Sequence, residues 1–102
     1  MQATELLQRI KSNNAPVIVD ARSPIEFKRG HIPGAINASL LMLLFGMARL
    51  PKDKTLEMVI TCEHGQRAML TKGLLGLRGY RNTALLDGYL KHWREAGLPL
   101  EK

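Results

Sequence analysis

Thr61-Cys62-Glu63-His64-Gly65-Gln66-Arg67-Ala68 carries the only cysteine of this chain. An apolar run from Leu56 to Ile60 leads into it, and a helical pattern beginning near Arg67 leads away. A cysteine on such a strand-to-helix turn sits where backbone N–H groups converge and where a helix presents the positive end of its dipole. Those dipoles favour a thiolate over a thiol and so make the sulfur a nucleophile. Gly65 lets the turn close tightly, and Arg67 adds a fixed positive charge expected to face an anion. The arrangement is expected to hold an anion over a reactive sulfur.

The chain has 102 residues, 45% of them hydrophobic, which suits one small domain with one core. A single cysteine excludes an intrachain disulfide and fits a reducing compartment. Residues 1–10 include Glu5 and Arg9 and have no apolar signal core. No apolar run approaches a membrane span. A soluble, cytoplasmic protein is expected. The formal charge of +6 favours anionic partners. The basic residues are scattered and aromatics are few, which argues against nucleic-acid binding. Three histidines and no second cysteine make a metal cluster improbable.

Short apolar runs alternate with helical patterns. Thr4 is placed to cap a first helix bearing Leu6, Leu7 and Ile10, which fades at Ser12-Asn13-Asn14. Val17-Ile18-Val19-Asp20 reads as a buried strand. Ser23-Pro24-Ile25-Glu26 is a capping box with proline at the first helical position, opening a helix that stops at Gly30. Ala35-Ile36-Asn37 is a brief strand after the Pro33-Gly34 turn. Leu40 to Leu50 reads as a helix ended by Pro51, with most of Leu40–Phe45 in the core. Leu56 to Thr61 delivers Cys62. The helix from Arg67 to Leu77 carries Leu70, Leu74 and Leu77 along one stripe. Thr83 to Leu86 is a further strand, and Tyr89 to Ala96 a last helix with Trp93 as a core anchor.

Strands separated by helices imply a mainly parallel α/β sheet, with the working site at the carboxyl ends of its strands. Asp20, Asn37, Cys62 and Asp87 all fall at or just past such ends.

Several spaced motifs then agree. They are Asp20-Ala21-Arg22, Glu26-Phe27, Gly30-His31-Ile32-Pro33-Gly34-Ala35 and Cys62 to Arg67. Leu86-Asp87-Gly88, Trp93 and Ala96-Gly97-Leu98-Pro99 complete the set. Across Val17 to Leu100 the chain resembles a single-domain rhodanese. The resemblance implies one rhodanese-like domain over 1–102, with a mainly parallel central sheet of about five short strands and helices on both faces. It implies a sulfurtransferase that moves sulfane sulfur from thiosulfate or a persulfide donor to cyanide or a thiol through a persulfide on Cys62. No metal or organic cofactor is needed for this. The expected partners are a small anionic sulfur donor and a thioredoxin-like or persulfide-carrying protein, with no nucleic acid or membrane. The loop residues Glu63, His64, Gly65, Gln66, Arg67 and Ala68 would bind the anion. Asp20 and Arg22 would brace the surrounding loops as an ion pair.

From Cys62 to Arg67 the loop has six residues, the size this family uses for sulfur; related phosphatases use one more. Glu63 directly follows the nucleophile and would repel a dianion if it faced the mouth. Tyr89 stands where the family usually repeats glycine after Gly88. Those two residues, with the apolar Leu40–Phe45 run, motivate the alternative of a catalytically weak binding or regulatory module. His64 is open between loop charge, proton shuttle and plain solvation. His31 is expected to make a structural hydrogen bond.

Overall fold

The computed structural model describes Met1–Lys102. Strands β1 (Val17–Asp20), β2 (Ile36–Asn37), β3 (Met58–Thr61) and β4 (Thr83–Leu85) form one sheet in the order β2-β1-β3-β4. All three pairings are parallel. Five helices connect and cover them: α1 (Ala3–Lys11), α2 (Pro24–Arg29), α3 (Leu40–Leu44), α4 (Gln66–Leu77) and α5 (Tyr89–Glu95). The register sets Asp20 beside both Thr61 and Asn37, so β1, β2 and β3 end level and the segments leaving them share one edge.

Side chains alternate across the sheet as strand geometry requires. Val19, Met58 and Ile60 pack with Leu43 of α3 and Ala68 and Leu75 of α4. Ile18 and Val59 pack on the other face with Leu6 of α1 and Leu90 and Trp93 of α5. Helices therefore lie on both faces, as expected. Trp93 is fully buried, and its indole N–H donates to the Pro99 carbonyl at 2.9 Å.

Four strands form rather than about five. The only further pairing is an antiparallel bridge, in which His31 and Glu101 exchange two backbone hydrogen bonds of 2.8 Å. Pro33 has no N–H to offer a longer ladder there.

Three local expectations are corrected. Helix α1 opens at Ala3, with Gln2 at its N-cap, so Thr4 lies within the first turn and does not cap it. The Asp87 N–H donates to the Met1 carbonyl at 2.9 Å, tying the lead-in of α1 to the end of β4 and fixing where the helix begins.

Helix α3 stops at Leu44, well short of Leu50. Gly46 takes a φ of 68°, the Met47 N–H reaches the Met42 carbonyl at 2.7 Å and the Gly46 N–H that of Leu43 at 3.2 Å. This is a Schellman C-cap, which satisfies the last carbonyls and turns the chain away. Leu43 alone of the Leu40–Phe45 run is fully buried; Leu41 is 67% and Phe45 75% exposed.

Helix α4 buries Ala68, Thr71 and Leu75, while Leu70 faces solvent and Leu77 is 88% exposed. Its rotation about its own axis is set by the loop before it, which must aim the Ala68 N–H at Cys62, not by the leucine stripe.

Candidate active site

Cys62 follows β3 directly and is only 1% exposed. Its Sγ accepts hydrogen bonds from the backbone N–H of Gly65 at 2.9 Å and of Ala68 at 3.3 Å. Gly65 is the N-cap of α4 with φ 105°, in the left-handed region that glycine alone adopts easily. A left-handed residue at the helix entrance folds the chain back so that two N–H groups converge on one sulfur. Both donors belong to the positive end of a 12-residue helix. The cradle stabilises negative charge on sulfur without having to reorient.

The loop is held from behind by α5. The Leu90 N–H donates to the Cys62 carbonyl at 3.0 Å and the Lys91 N–H to the Glu63 carbonyl at 3.2 Å. Thr61 Oγ1 adds a third donor, to the Cys62 carbonyl, at 3.2 Å. Tyr89, just before those residues, has φ 56° and packs against the core cluster that includes Cys62 and Ala68.

Three arginines surround the loop, and each is matched by a carboxylate. The expected Asp20–Arg22 pair is formed and buried: Arg22 Nη2 donates to Asp20 Oδ2 at 2.8 Å and Nε to Oδ1 at 3.1 Å. Arg22 Nη2 also reaches the Gly30 carbonyl at 2.7 Å, binding the end of β1 to the end of α2. Asn37 supports the same turn, its side-chain amide donating to the carbonyls of Asp20 and Arg22 at 3.2 and 2.8 Å.

Expected to face an anion over the sulfur, the Arg67 guanidinium here meets Glu26, with Nη1 2.5 Å from Oε1 and Nη2 3.1 Å from Oε2. That hydrogen-bonded guanidinium pulls the Glu26 carboxyl from 4.5 down to about 2. Glu26 simultaneously closes the expected capping box with Ser23 at the start of α2. Glu63 turns to α5, where Arg94 Nη1 lies 2.5 Å from its Oε2, and Arg22 Nη1 lies 4.0 Å from its Oε1. The Arg94 hydrogen bond, chiefly, holds the Glu63 carboxyl below the ordinary carboxylate range. The carboxylate next to Cys62 is therefore neutralised where it stands.

His64 and Gln66 are exposed and their side chains make no hydrogen bond within the chain. His31 makes its structural hydrogen bond, ring Nδ1 to the Phe27 carbonyl at 2.8 Å, and stacks on the Phe27 ring with centroids 3.8 Å apart. Asp87 is exposed at the end of β4, away from the sulfur's hydrogen-bond set. Glu26 and Arg94 join the site only in the folded chain, through Arg67 and Glu63. Local pattern explained Glu26 completely as a capping residue, and nothing along the chain marks Arg94.

Residues 2–96 match the family described as the rhodanese-like domain, and the chain belongs to that family. It is 30% identical over 100 residues to a sulfurtransferase of Allochromatium vinosum, covering 98% of this chain and 92% of that one. It is 31% identical to the thiosulfate:glutathione sulfurtransferase of Saccharomyces cerevisiae, over 91% of this chain and 76% of that one. The crystal structure of a rhodanese-related protein from Thermoplasma volcanium superposes with a TM-score of 0.79 at 26% identity, covering 99% and 95% of the two chains. A sulfurtransferase-type role is thus supported at the level of the family.

Proposed function

We propose that this protein transfers sulfane sulfur through a persulfide on Cys62. The observation that carries this reading is the pair of backbone N–H groups, from Gly65 and Ala68, aimed at the Cys62 sulfur. The thiolate attacks the outer sulfur of thiosulfate; the S–S bond of the donor breaks and sulfite leaves with its electron pair. The product is Cys62–S–S⁻, with its inner sulfur held by the Gly65 and Ala68 N–H groups. Cyanide then attacks that outer sulfur, leaves as thiocyanate and returns the thiolate. A thiol acceptor follows the same course as its thiolate, taking the outer sulfur as its own persulfide. A persulfide carried on another protein replaces thiosulfate without any change in the chemistry at Cys62. A thioredoxin-like acceptor and a reducing, cytoplasmic setting belong to this reading.

The test is intact mass after incubation with thiosulfate, and separately with a cysteine desulfurase as persulfide source. The wild-type chain is expected to gain one sulfur atom and lose it on adding cyanide, with no gain in Cys62→Ser. Failure to gain sulfur from either donor removes the proposal.

A second reading, a binding module with little turnover, is favoured by the exposed Leu41, Leu44, Phe45 and Met47 around α3. It expects Cys62→Ser to retain cellular function in full.

A further inference from the structure

We propose that Tyr89 is a positioning residue for the Cys62 loop, its ring holding Gly65 so that the Gly65 N–H stays on the sulfur. Only two residues other than glycine have a positive φ, Asn13 and Tyr89. Asparagine tolerates that region; an aromatic residue does not do so readily, and it persists there only where the surroundings fix it. At Tyr89 they do so from both backbone and side chain. Its own N–H closes a turn onto the Leu86 carbonyl at 3.1 Å, and the next two N–H groups are those that hold the carbonyls of Cys62 and Glu63. The strained turn therefore points the start of α5 at the loop.

The side chain meets the same loop from another direction. A Cβ on Gly65 would stand 2.4 Å from Tyr89 Cε2 and 2.5 Å from Cζ, so the ring occupies all the space a side chain would use. Gly65 is buried beneath it. Gly65 must therefore be glycine for two reasons, its φ of 105° and the ring against it. The Tyr89 hydroxyl donates to no acceptor in the chain. The ring carbons make the closer approach, with the hydroxyl oxygen 2.9 Å from the same point. Because Gly65 supplies the shorter of the two hydrogen bonds to Sγ, at 2.9 Å, fixing its Cα fixes the donor that stabilises charge on the sulfur.

This rests on the persulfide reading for its kinetic part alone. The variants are Tyr89→Phe, Tyr89→Gly and Tyr89→Asn, the last retaining a residue that accepts a left-handed φ without a ring long enough to reach Gly65. Amide hydrogen exchange of Gly65 is expected to accelerate about tenfold in the Gly and Asn variants while Val59 and Ile60 of β3 are unchanged, a local opening and not a global one. In thiosulfate:cyanide turnover the same variants are expected to lose about tenfold in kcat at unchanged KM, as when one preorganised donor loosens. Tyr89→Phe is expected to match the wild type in both. Unchanged Gly65 exchange in both ringless variants overturns the proposal, and so does faster exchange with unaltered turnover. If the wild type takes sulfur from no donor, the persulfide reading fails by itself, and the exchange comparison still decides whether Tyr89 holds Gly65.

Discussion

Arg94 grips Glu63 with both ends of its guanidinium, Nη1 at 2.5 Å from Oε2 and Nη2 at 3.2 Å from Oε1. The residue that follows Cys62 is thus tied to α5, and its charge is cancelled by Arg94. Of the basic side chains around the loop, Arg22, Arg67 and Arg94 each face a carboxylate.

On the proposed function, altering that one pair is expected to shift the KM for thiosulfate in opposite directions. Glu63→Gln frees Arg94 and is expected to lower KM by about fivefold, while Arg94→Ala exposes Glu63 and raises it by about as much, matching ~1 kcal/mol for one charge at a solvated separation. Both effects shrink at high salt. Initial rates over a range of thiosulfate concentrations decide the matter; KM values equal to the wild type in both variants would sink the charge-balance argument.

The buried Asp20–Arg22 pair gives a stability test. Arg22→Ala leaves the Asp20 carboxylate buried without its main partner and is expected to cost about 3–5 kcal/mol in urea unfolding. Replacing both residues by apolar ones of similar volume is expected to cost less than Arg22→Ala alone. A double variant less stable than the single one contradicts this.

Acid acts through Glu26. Its carboxyl is lowered in the folded protein from 4.5 to about 2 by Arg67. A depressed folded value means the stabilisation is fully present above pH 4.5 and is lost as pH falls toward 2. The side chains of Arg67 and Glu26 are 42% and 34% exposed, so solvent keeps the effect modest. The gap in unfolding midpoint between wild type and Glu26→Gln should be constant above that window and close within it. A gap that widens on acidification would be the wrong sign.

Two neighbouring positions at the carboxyl end of α3 should respond differently. Leu43→Ala empties a buried position and is expected to cost about 2–5 kcal/mol. Phe45→Ser, at an exposed position, should change stability by no more than about 0.5 kcal/mol. Equal losses in the two would mean that Phe45 is covered in solution.

Much of the fold could be read along the chain because its signals are local. The β-branched run before Asp20, the Ser23-Pro24-Ile25-Glu26 box and the apolar run before Cys62 each specify their element within a few residues. What escaped depended on distance. Gly46 is a weak stop signal along the chain, since its left-handed turn competes with an apolar pattern that continues to Leu50. The leucine stripe of α4 marks the wrong face because Gly65 and the sulfur, not Leu70 and Leu77, fix the helix's rotation. At the site, the cysteine, its loop and the Asp20–Arg22 pair were legible from motif spacing. The partners of Glu63 and Arg67 were not, because residues 31 and 41 positions apart in sequence meet only once the sheet has brought α5 and α2 to the same edge.

The two α5 hydrogen bonds to Cys62 and Glu63 have a practical corollary. They make Cys62 a reporter on the order of the last helix: any fraying that releases the Leu90 and Lys91 amides also frees the peptide that carries the sulfur. Damage near the carboxyl end of the chain would then register first as altered thiol reactivity, before the sheet itself gives way.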